Sequence, residues 1–530
     1  MRDLILNIIL HNWDKYIFPG IKMKSFFVDI YKFLTMLDVI CLDDSYSIAI
    51  HSSRSRQWIA LYLACYIKGV DFVVLSPNLE RDTLFNTLNH IATHYLFIEQ
   101  RLVSFNRTDM FRIPFLKGAY DIDTIKPISL RSDVYNDNIS HLSLNTLDDT
   151  FIDENIVLRL LEKYSRLDQE SCVLNMTSGV SHTDTKLTLS SDRSILETVT
   201  KGFNVLPYHV LHTVYSEVEF AHSHIITVLI PFVKGCAFSE TAEGADVIIE
   251  STETFEQKWY EEVESIFEAK FFYWLFKKRI FKGLFSKVAG RLIRKFYANF
   301  EHVIIYNGSV QERALNIAKR YLPLHVTYGS QETNQLMACN DFSAPAYRRP
   351  GDIGRPIGVI TINKHGELRY ESEGVFELYL GDEPHTRYIR DVHRSRVLSG
   401  DNARIQEGSI ILKGRMASVH KYNDRTVNLD ELERHFRSHP YIEECVLIPW
   451  KNNGVHLLVR VNQRLVEAHK MGVLEVTHIL EKFYNAFKND FEKHVVLANV
   501  SVSHEPFPKS FDGKIRIRSI LAVDALIQYD

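Results

Sequence analysis

One short segment of the chain is rich in groups that bind anions. It reads TSGVSHTDTK from Thr177 to Lys186 and follows Val173, Leu174 and Met176, which predict the end of a buried strand. Backbone N–H groups, hydroxyl groups and one ammonium group at the end of a strand form a binding site for an anion such as polyphosphate. An ordinary Ser/Thr turn has the same composition, and the Walker pattern G-x-x-x-x-G-K-[ST] is absent from this segment.

Four more polar motifs follow downstream in a fixed order. They are Tyr328-Gly329-Ser330-Gln331-Glu332-Thr333, Ser399-Gly400-Asp401, Gly414-Arg415 with Lys421, and Asp512-Gly513-Lys514. Each motif alone is no more than a common surface cap or ion pair. The order of all five along one chain makes a functional interpretation possible.

The elements that would position these motifs are strands and helices in alternation. Residues 47–51, 72–75 and 95–98 predict buried strands, and apolar residues at helical spacing connect them. This alternation predicts an α/β fold with a doubly wound sheet. Short strands with glycine-rich turns in residues 351–413 predict a small β-barrel or a distorted sheet.

The pattern changes again after residue 413. A helix near 429–438, strands at 445–448 and 455–461 and a long helix at 473–491 predict a compact α+β unit. At 530 residues the chain exceeds a single hydrophobic core. We therefore predict a large N-terminal domain of residues 1–413 and a small, mobile C-terminal domain of residues 414–530.

Composition excludes several classes of protein. The net charge of −4 gives no field that favours nucleic acid. The six cysteines include no CxxC pair, which indicates reduced thiols rather than a disulfide framework or a zinc site. We expect no signal peptide, because the first residues lack a small-residue cleavage site, and no transmembrane segment, because no run of about 18 uncharged apolar residues exists. The expected location is cytoplasmic.

Residues 270–295 form a basic segment with nine Lys or Arg and no Asp or Glu. One interpretation is a surface for phosphates, CoA or membrane headgroups, which allows weak peripheral contact with a membrane. The other is an amphipathic helix with a solvated basic face, interrupted at Gly283 and Gly290. Both remain open at this point.

The five ordered motifs together resemble the acyl-adenylate-forming superfamily of acyl-CoA synthetases, carrier-protein adenylation domains and luciferases. Its usual patterns are T-S-G-T-T-G-x-P-K, Y-G-x-T-E, T-G-D, G-R with a lysine six residues later, and P-x-x-x-x-G-K, which here is Pro508 to Lys514. The resemblance covers about residues 45 to 525. The helix at residues 281–294 and the segment 414–433 look most like the long-chain fatty acyl branch.

The resemblance implies that a fatty or aryl carboxylic acid is activated with ATP and Mg²⁺ and then transferred to CoA or to the phosphopantetheine of a carrier protein. It assigns Lys514, Gln331 and His222 to catalysis and Glu332 to the metal ion. His222 can equally be a satisfied buried histidine. The implied ATP- and AMP-binding residues are Thr177, Ser178, Gly179, Ser181, Lys186, Gly308, Ser309, Tyr328, Gly329, Asp401 and Arg415.

The chain also departs from the superfamily pattern. Val180, His182 and Asp184 stand where Thr, Gly and Pro are usual, and Asp184 places a negative charge beside the expected phosphates. Gln331 replaces a threonine but retains its hydrogen-bonding capacity. The predicted hinge, residues 416–418, lacks the usual acidic or lysine residue. The alternative is therefore a degenerate member that binds nucleotide or an acyl ligand without full catalysis.

Overall fold

The computed structural model describes most of the chain. The described residues are 1–41, 46–99, 101–102, 112–130, 152–165, 170–177, 186–263, 282–306, 310, 312–341, 351–380, 388–391, 394–422, 425–450, 454–491, 495–503, 505–508 and 515. All structural statements below refer to them.

Helices occur throughout the described chain. They are α1 (Arg2–His11), α2 (Met23–Ile40), α3 (Arg56–Lys68), α4 (Arg81–His90), α5 (Glu154–Ser165), α6 (Asp192–Gly202), α7 (Phe220–His224), α8 (Ile230–Lys234), α9 (Thr252–Glu262), α10 (Lys282–Phe296), α11 (Glu312–Ala318), α12 (Leu429–Arg437), α13 (Gln463–Ala468) and α14 (Val473–Phe491). A π-helix (Ile225–Leu229) connects α7 to α8, and two short 3₁₀ helices cover Gln331–Thr333 and Met416–Ser418.

The strands of the first half of the chain alternate with these helices. They are β1 (Tyr16–Phe18), β2 (Ile21–Lys22), β3 (Ser47–His51), β4 (Asp71–Leu75), β5 (Tyr95–Ile98), β6 (Gly118–Asp121), β7 (Pro127–Leu130), β8 (Cys172–Thr177), β9 (Lys186–Ser191), β10 (Thr213–Ser216), β11 (Ala237–Ser239) and β12 (Val247–Ser251).

The strands of the second half are mostly antiparallel. They are β13 (His302–Tyr306), β14 (Leu324–Tyr328), β15 (Ala338–Asp341), β16 (Arg355–Pro356), β17 (Val359–Ile362), β18 (Glu367–Glu371), β19 (Leu378–Leu380), β20 (Tyr388–Asp391), β21 (Arg394–Gln406), β22 (Ser409–Arg415), β23 (Val419–Tyr422), β24 (Arg425–Asn428), β25 (Ile442–Trp450), β26 (Gly454–Val461) and β27 (Val496–Ser503).

Two large mixed sheets form the N-terminal part. The first has the order β19-β9-β8-β4-β3-β5-β6-β7, with β8, β4, β3, β5 and β6 parallel. The second has the order β11-β10-β12-β13-β14-β15-β16, with β11 to β14 parallel. Helices α3 and α4 contribute to different hydrophobic clusters on the first sheet, so that sheet is covered on both faces. The predicted α/β fold class is confirmed.

The strand β19 is contributed by a distant part of the chain. It lies at the edge of the first sheet and pairs antiparallel with β9, which precedes it by about 190 residues, with Tyr379 opposite Thr188. The first sheet is therefore completed by a segment that follows the whole second sheet in sequence.

The glycine-rich segment forms a third sheet. Its strands β17, β18, β21 and β20 pair antiparallel in that order, and β22 pairs with the second half of the long strand β21. Among the described strands this is an open antiparallel sheet, which agrees with the distorted sheet of the two expected alternatives. Residues from 422 onward make their own hydrophobic clusters around β25, β26, α12 and α14.

Local sequence explains the borders of the elements. Ser55 caps α3 by accepting a hydrogen bond from the Trp58 N–H at 3.1 Å, and Gly69 ends this helix with φ of +80°. Helix α10 continues through Gly290, where we expected an interruption. A Cβ atom at Gly290 would lie 2.1 Å from the Tyr321 ring, so the glycine permits close packing of the helix rather than breaking it.

Sequence reasoning gave no helix for the first 41 residues. Helices α1 and α2 nevertheless pack against α3, and Ile5, Phe26 and Phe33 are fully buried in the main core. That core contains side chains from both large sheets and joins them. No described helix has both the length and the apolar character needed to span a bilayer.

Candidate functional site

The predicted site residues separate into described and undescribed sets. Those outside the described ranges are Ser178, Gly179, Ser181, Gly308, Ser309 and Lys514. The described ones lie at the carboxyl ends of β8 and β14, at the start of β9, within β21, at the end of β22 and on α7. Carboxyl ends of parallel strands are where α/β sheets bind ligands.

The first cluster contains Lys186, Tyr379 and Glu332, and we call it the Glu332 cluster. Thr177 and Lys186 are directly paired across β8 and β9, so the undescribed residues 178–185 connect the ends of a hairpin. The Lys186 ammonium lies 5.2 Å from the centre of the Tyr379 ring, and the Tyr379 hydroxyl donates to Glu332 Oε1 at 2.7 Å. One tyrosine thus connects the predicted phosphate lysine to the predicted metal carboxylate.

The backbone around Glu332 is held as tightly as its side chain. The 3₁₀ helix Gln331–Thr333 begins with a capping box in which Ser330 and Thr333 exchange side-chain and backbone hydrogen bonds. The Glu332 carbonyl accepts from the Phe376 N–H at 3.0 Å. A Cβ atom at Gly329 would lie 2.4 Å from the Gln335 carbonyl oxygen, so only glycine fits there.

The second cluster contains Tyr328, Asp401 and Arg415, and we call it the Asp401 cluster. Asp401 lies opposite Arg415 across β21 and β22, and its Oδ1 is 3.0 Å from the Arg415 guanidinium. Its Oδ2 accepts from the Tyr328 hydroxyl at 2.5 Å. The Asp401 side chain is 15% exposed and that of Arg415 is 47% exposed, so the carboxylate is mostly buried beneath a half-exposed arginine.

Charge and burial explain the protonation of this cluster. Burial raises the pKa of Tyr328 well above its usual value, and the Asp401 carboxylate raises it further. The same carboxylate raises the pKa of Arg415. Tyr328 therefore remains a hydrogen-bond donor, and the carboxylate oxygens of Asp401 have lone pairs left for further donors.

The third group joins α7 to the second sheet, and we call it the Gln331 bridge. The carbonyl oxygen of His222 accepts from the Tyr306 hydroxyl and from Gln331 Nε2, the latter at 3.1 Å. Gln331 Oε1 accepts from Gln335 Nε2 at 3.3 Å, and Gln335 Oε1 accepts from the Ile225 N–H at 2.9 Å. The bridge thus consists of neutral groups only.

The Gln331 bridge also reaches the first residue of the π-helix. In a regular α-helix the Ile225 N–H would donate to a carbonyl four residues earlier. Here it donates to the Gln335 side chain at 2.9 Å, at the residue where the π-helix Ile225–Leu229 begins. Single π turns of this kind occur often at functional sites.

A buried histidine lies behind the half-buried His222. His224 is fully buried, with Nδ1 2.6 Å from the Tyr62 hydroxyl and Nε2 2.7 Å from Asn175 Oδ1. Burial lowers the pKa of His224 to about 3. The neutral ring therefore donates from Nε2 to Asn175 on β8 and accepts at Nδ1, which ties α7 to the strand that ends at Thr177.

Several of these residues were missed by sequence reasoning. Tyr379 stands in a short strand with no motif, and Gln335 and Tyr306 are neutral residues adjacent to predicted ones. His224 was passed over in favour of His222. The only available signal was the proximity of Tyr306 to the predicted Gly308 and of Gln335 to Gln331.

The described side chains can be compared with the ligands that a magnesium ion requires. No group of three or more His, Cys, Asp or Glu side chains suited to a metal occurs in the part of the chain that the structure describes. Mg²⁺ in nucleotide sites takes one or two carboxylates and completes its shell with phosphate oxygens and water. The single carboxylate of Glu332 fits that requirement.

Comparison with solved structures decides the fold. The structure of an anthranilate CoA ligase in complex with anthranoyl-AMP matches with a TM-score of 0.74, covering 98% of this chain and 96% of that chain at 12% sequence identity. The chain has the fold of the acyl-adenylate-forming superfamily. An o-succinylbenzoate coenzyme A synthetase from Bacillus subtilis in complex with AMP also has this fold, with a TM-score of 0.70, 98% of each chain covered and 12% identity.

Sequence comparison reaches a smaller part of the chain. A D-alanine–D-alanyl carrier protein ligase from Staphylococcus epidermidis is 30% identical over 118 residues, which are 21% of this chain and 23% of that ligase. No protein-family model matches the chain. The fold that the resemblance implied is thus confirmed.

Proposed function

We propose that the protein activates a carboxylic acid with ATP, forming an acyl adenylate and pyrophosphate, and then transfers the acyl group to a thiol. The observation that carries the proposal is the Glu332 cluster. In it, Tyr379 contacts both Lys186, the last residue of the hydroxyl-rich segment 177–186, and Glu332 of the motif Tyr328–Thr333. The acyl-adenylate-forming fold and the enzymes that share it support the same chemistry.

The nucleotide would extend from the Asp401 cluster to the Glu332 cluster. Asp401 would accept the ribose hydroxyls, Arg415 would contact ribose or phosphate, and the ring of Tyr328 would face the adenine. The hydroxyls of residues 177–181 and the Lys186 ammonium would hold the β- and γ-phosphates, with Gly308 and Ser309 beside the base. Glu332 would hold Mg²⁺, which when bound neutralises phosphate charge.

The reaction joins two anions and therefore needs positive charge where they meet. An oxygen of the substrate carboxylate attacks the α-phosphorus, the bond to the bridging oxygen breaks, and pyrophosphate leaves. We assign the charge stabilisation in this transition state to Lys514, with Gln331 orienting the carboxylate. Such stabilisation accelerates the step only where it acts on charge that forms in the transition state.

The second step is thiol transfer. The sulfur of CoA or of a carrier-protein phosphopantetheine attacks the acyl carbon, the bond to the phosphate oxygen breaks, and AMP leaves. We propose that residues 414–530 rotate about the 3₁₀ helix Met416–Ser418 to give the thiol access to the adenylate.

The six cysteines are all free thiols, which supports a cytoplasmic location.

Pyrophosphate release with a panel of aryl, amino and fatty acids tests the proposal. Lys514→Ala should lower the rate by about 10²- to 10³-fold, the usual loss for a transition-state charge partner. Lys509→Ala, in the same terminal motif, is the matched control and should retain activity. Equal activity of Lys514→Ala and the unaltered protein would reject this role for Lys514.

A nucleotide-binding protein without catalysis is the alternative, and Asp184 in the hydroxyl-rich segment 177–186 favours it. Its carboxylate would repel bound phosphates unless it pairs with Lys186. Titration calorimetry with ATP and Mg²⁺ separates the two functions. Tight binding without pyrophosphate release for any acid would support the alternative, whereas turnover would exclude it.

A further inference from the structure

The first turn of α12 lies against the backbone of Arg415. Asp430, the second residue of this helix, accepts a hydrogen bond from the Arg415 N–H through Oδ2 at 2.6 Å. Asn428, the residue that caps the helix, donates from Nδ2 to the Arg415 carbonyl oxygen at 3.2 Å. Both backbone polar groups of Arg415 therefore have partners at the start of one helix.

Gly414 allows the helix to approach this closely. A Cβ atom at Gly414 would lie 2.3 Å from the Asp430 Cβ and 2.8 Å from Asn428 Oδ1, and the φ of Gly414 is +149°. Any side chain at this position would collide with the start of α12. Asp430 is also held from behind, because its N–H donates to Asn428 Oδ1 at 3.0 Å.

The same contact extends to the strand that carries Asp401. Asn428 is buried, and its Nδ2 lies 3.4 Å from Oδ1 of Asn402, the residue after Asp401 on β21. Asp401 in turn pairs with the Arg415 guanidinium at 3.0 Å. The start of α12 thus contacts both strands that contribute to the Asp401 cluster.

Asp430 and Arg415 lie on opposite sides of the proposed hinge. Arg415 is the last residue of β22, and the 3₁₀ helix Met416–Ser418, β23 and β24 separate it from α12 along the chain. Helix α12 packs in one hydrophobic cluster with β25, β26 and α14, and we call these elements the C-terminal unit. A rotation of this unit about the hinge would move Asp430 away from the Arg415 N–H. The hydrogen bond therefore depends on the orientation of the unit.

We propose that Asp430 is a positioning residue for Arg415 and makes nucleotide affinity depend on the orientation of the C-terminal unit. The inference rests on the proposed function, in which Arg415 contacts the nucleotide. Asp430 fixes the Arg415 backbone while the guanidinium lies beside Asp401. Without Asp430, part of the binding free energy is lost in ordering Arg415.

A purely structural role for Asp430 is the competing explanation. An acidic residue in the first turn stabilises a helix through its interaction with the helix dipole. Glu431 is also acidic and in the first turn, and it pairs with Lys413 of β22 at 3.7 Å. Glu431→Ala removes the same charge and a contact to the same strand, but it leaves the acceptor of the Arg415 N–H in place. It is the matched control.

Titration calorimetry with AMP on the full chain tests the inference without turnover. Asp430→Ala should weaken AMP binding at least tenfold, because the Arg415 N–H loses its charged acceptor. Asp430→Asn keeps an acceptor oxygen and should bind AMP within threefold of the unaltered protein. Glu431→Ala should also stay within threefold. Thermal melts confirm that each variant folds.

Hydrogen exchange on the unaltered protein gives a measurement that does not depend on how a variant folds. Exchange of the Arg415 amide requires its hydrogen bond to Asp430 to open. Because the coupling of two equilibria is reciprocal, saturating AMP should slow this exchange at least tenfold. The Leu465 amide, which donates to the Asn462 side chain at the start of α13, is the control and should exchange at an unchanged rate.

The outcomes separate the inference from the proposed function. Unchanged AMP binding in folded Asp430→Ala, or exchange of the Arg415 amide that AMP does not slow, would overturn the inference while leaving adenylate formation intact. An equal loss of AMP binding in Glu431→Ala, or no recovery in Asp430→Asn, would assign Asp430 to helix stability alone. If the unaltered protein neither binds AMP nor releases pyrophosphate with any acid, the proposed function fails and the inference with it.

Discussion

The two sides of Gln331 are built from different kinds of groups. On one side, the Asp401 and Glu332 clusters use carboxylates, a guanidinium and an ammonium. On the other, the Gln331 bridge uses amides, a hydroxyl and backbone groups, none of them charged. The charged side has the groups that a polyanion requires, whereas the neutral side has only uncharged hydrogen-bonding groups. The difference teaches that neighbouring groups of this region are sorted by charge.

The largest effect on ligand binding should come from a substitution in the Asp401 cluster. Asp401→Asn removes the partner of Arg415 and weakens the acceptor of the Tyr328 hydroxyl. Charge-assisted hydrogen bonds contribute about 1.5–3 kcal/mol, so KM for ATP should rise about 10- to 100-fold with little change in KM for the acid. Asp123→Asn, at an exposed turn, is the control for loss of a carboxylate. Equal changes in both KM values would contradict the division by charge.

A substitution in the Gln331 bridge should instead lower the free energy of unfolding. Gln335→Met leaves the buried Ile225 N–H without its acceptor. An unsatisfied buried donor costs about 1–3 kcal/mol, which urea unfolding should detect as a lower free energy of unfolding. The exposed Gln257→Met should change it by less than about 0.5 kcal/mol. A stable Gln335→Met variant would mean that the π-helix does not need this side chain.

The buried His224, next to the Gln331 bridge, makes the free energy of unfolding depend on pH. Its pKa is lowered to about 3, so the unfolded chain binds the proton first as pH falls from 6.5. The stabilisation is complete above pH 6.5 and should decrease by on the order of 1 kcal/mol per pH unit down to about pH 3. His224→Gln should remove this part of the slope, and the exposed His365→Gln should not. An identical slope in His224→Gln would refute the assignment.

The smallest effect is expected from a substitution in the Glu332 cluster. Tyr379→Phe keeps the ring beside Lys186 but removes the hydrogen bond to Glu332. A hydrogen bond to a carboxylate contributes about 1.5–3 kcal/mol, but this one orients Glu332 rather than contacting the nucleotide, so KM for Mg²⁺-ATP should rise only about 3- to 10-fold. Tyr16→Phe on the surface is the matched control. A larger effect on KM for the acid than on KM for Mg²⁺-ATP would count against the Glu332 cluster.

Sequence reasoning was successful where a residue type carries its own signal. Strands 47–51 and 95–98 and helix 473–491 were predicted with their observed bounds, because apolar periodicity marks them. Asp401 and Arg415 were predicted as site residues, and the structure brings them together. Their roles in binding remain predictions.

What sequence reasoning missed depends on distant contacts. Tyr379 becomes important only because β19 pairs with β9, and Gln335 only because its amide reaches the Ile225 N–H. Neither contact leaves a periodic pattern or a charge in the local sequence. Helices α1 and α2 were missed because that segment was assessed for targeting signals and not for helical spacing.

The late strand β19 has a consequence for biosynthesis. A ribosome must add about 190 residues after β9 before Tyr379 can pair beside it. Pairing over such a separation is slow, because a long loop must close first. A nascent chain that stops before residue 379 can therefore form most of its first sheet but lacks the tyrosine between Lys186 and Glu332. Nucleotide protection against proteolysis should begin only after that length has been synthesised.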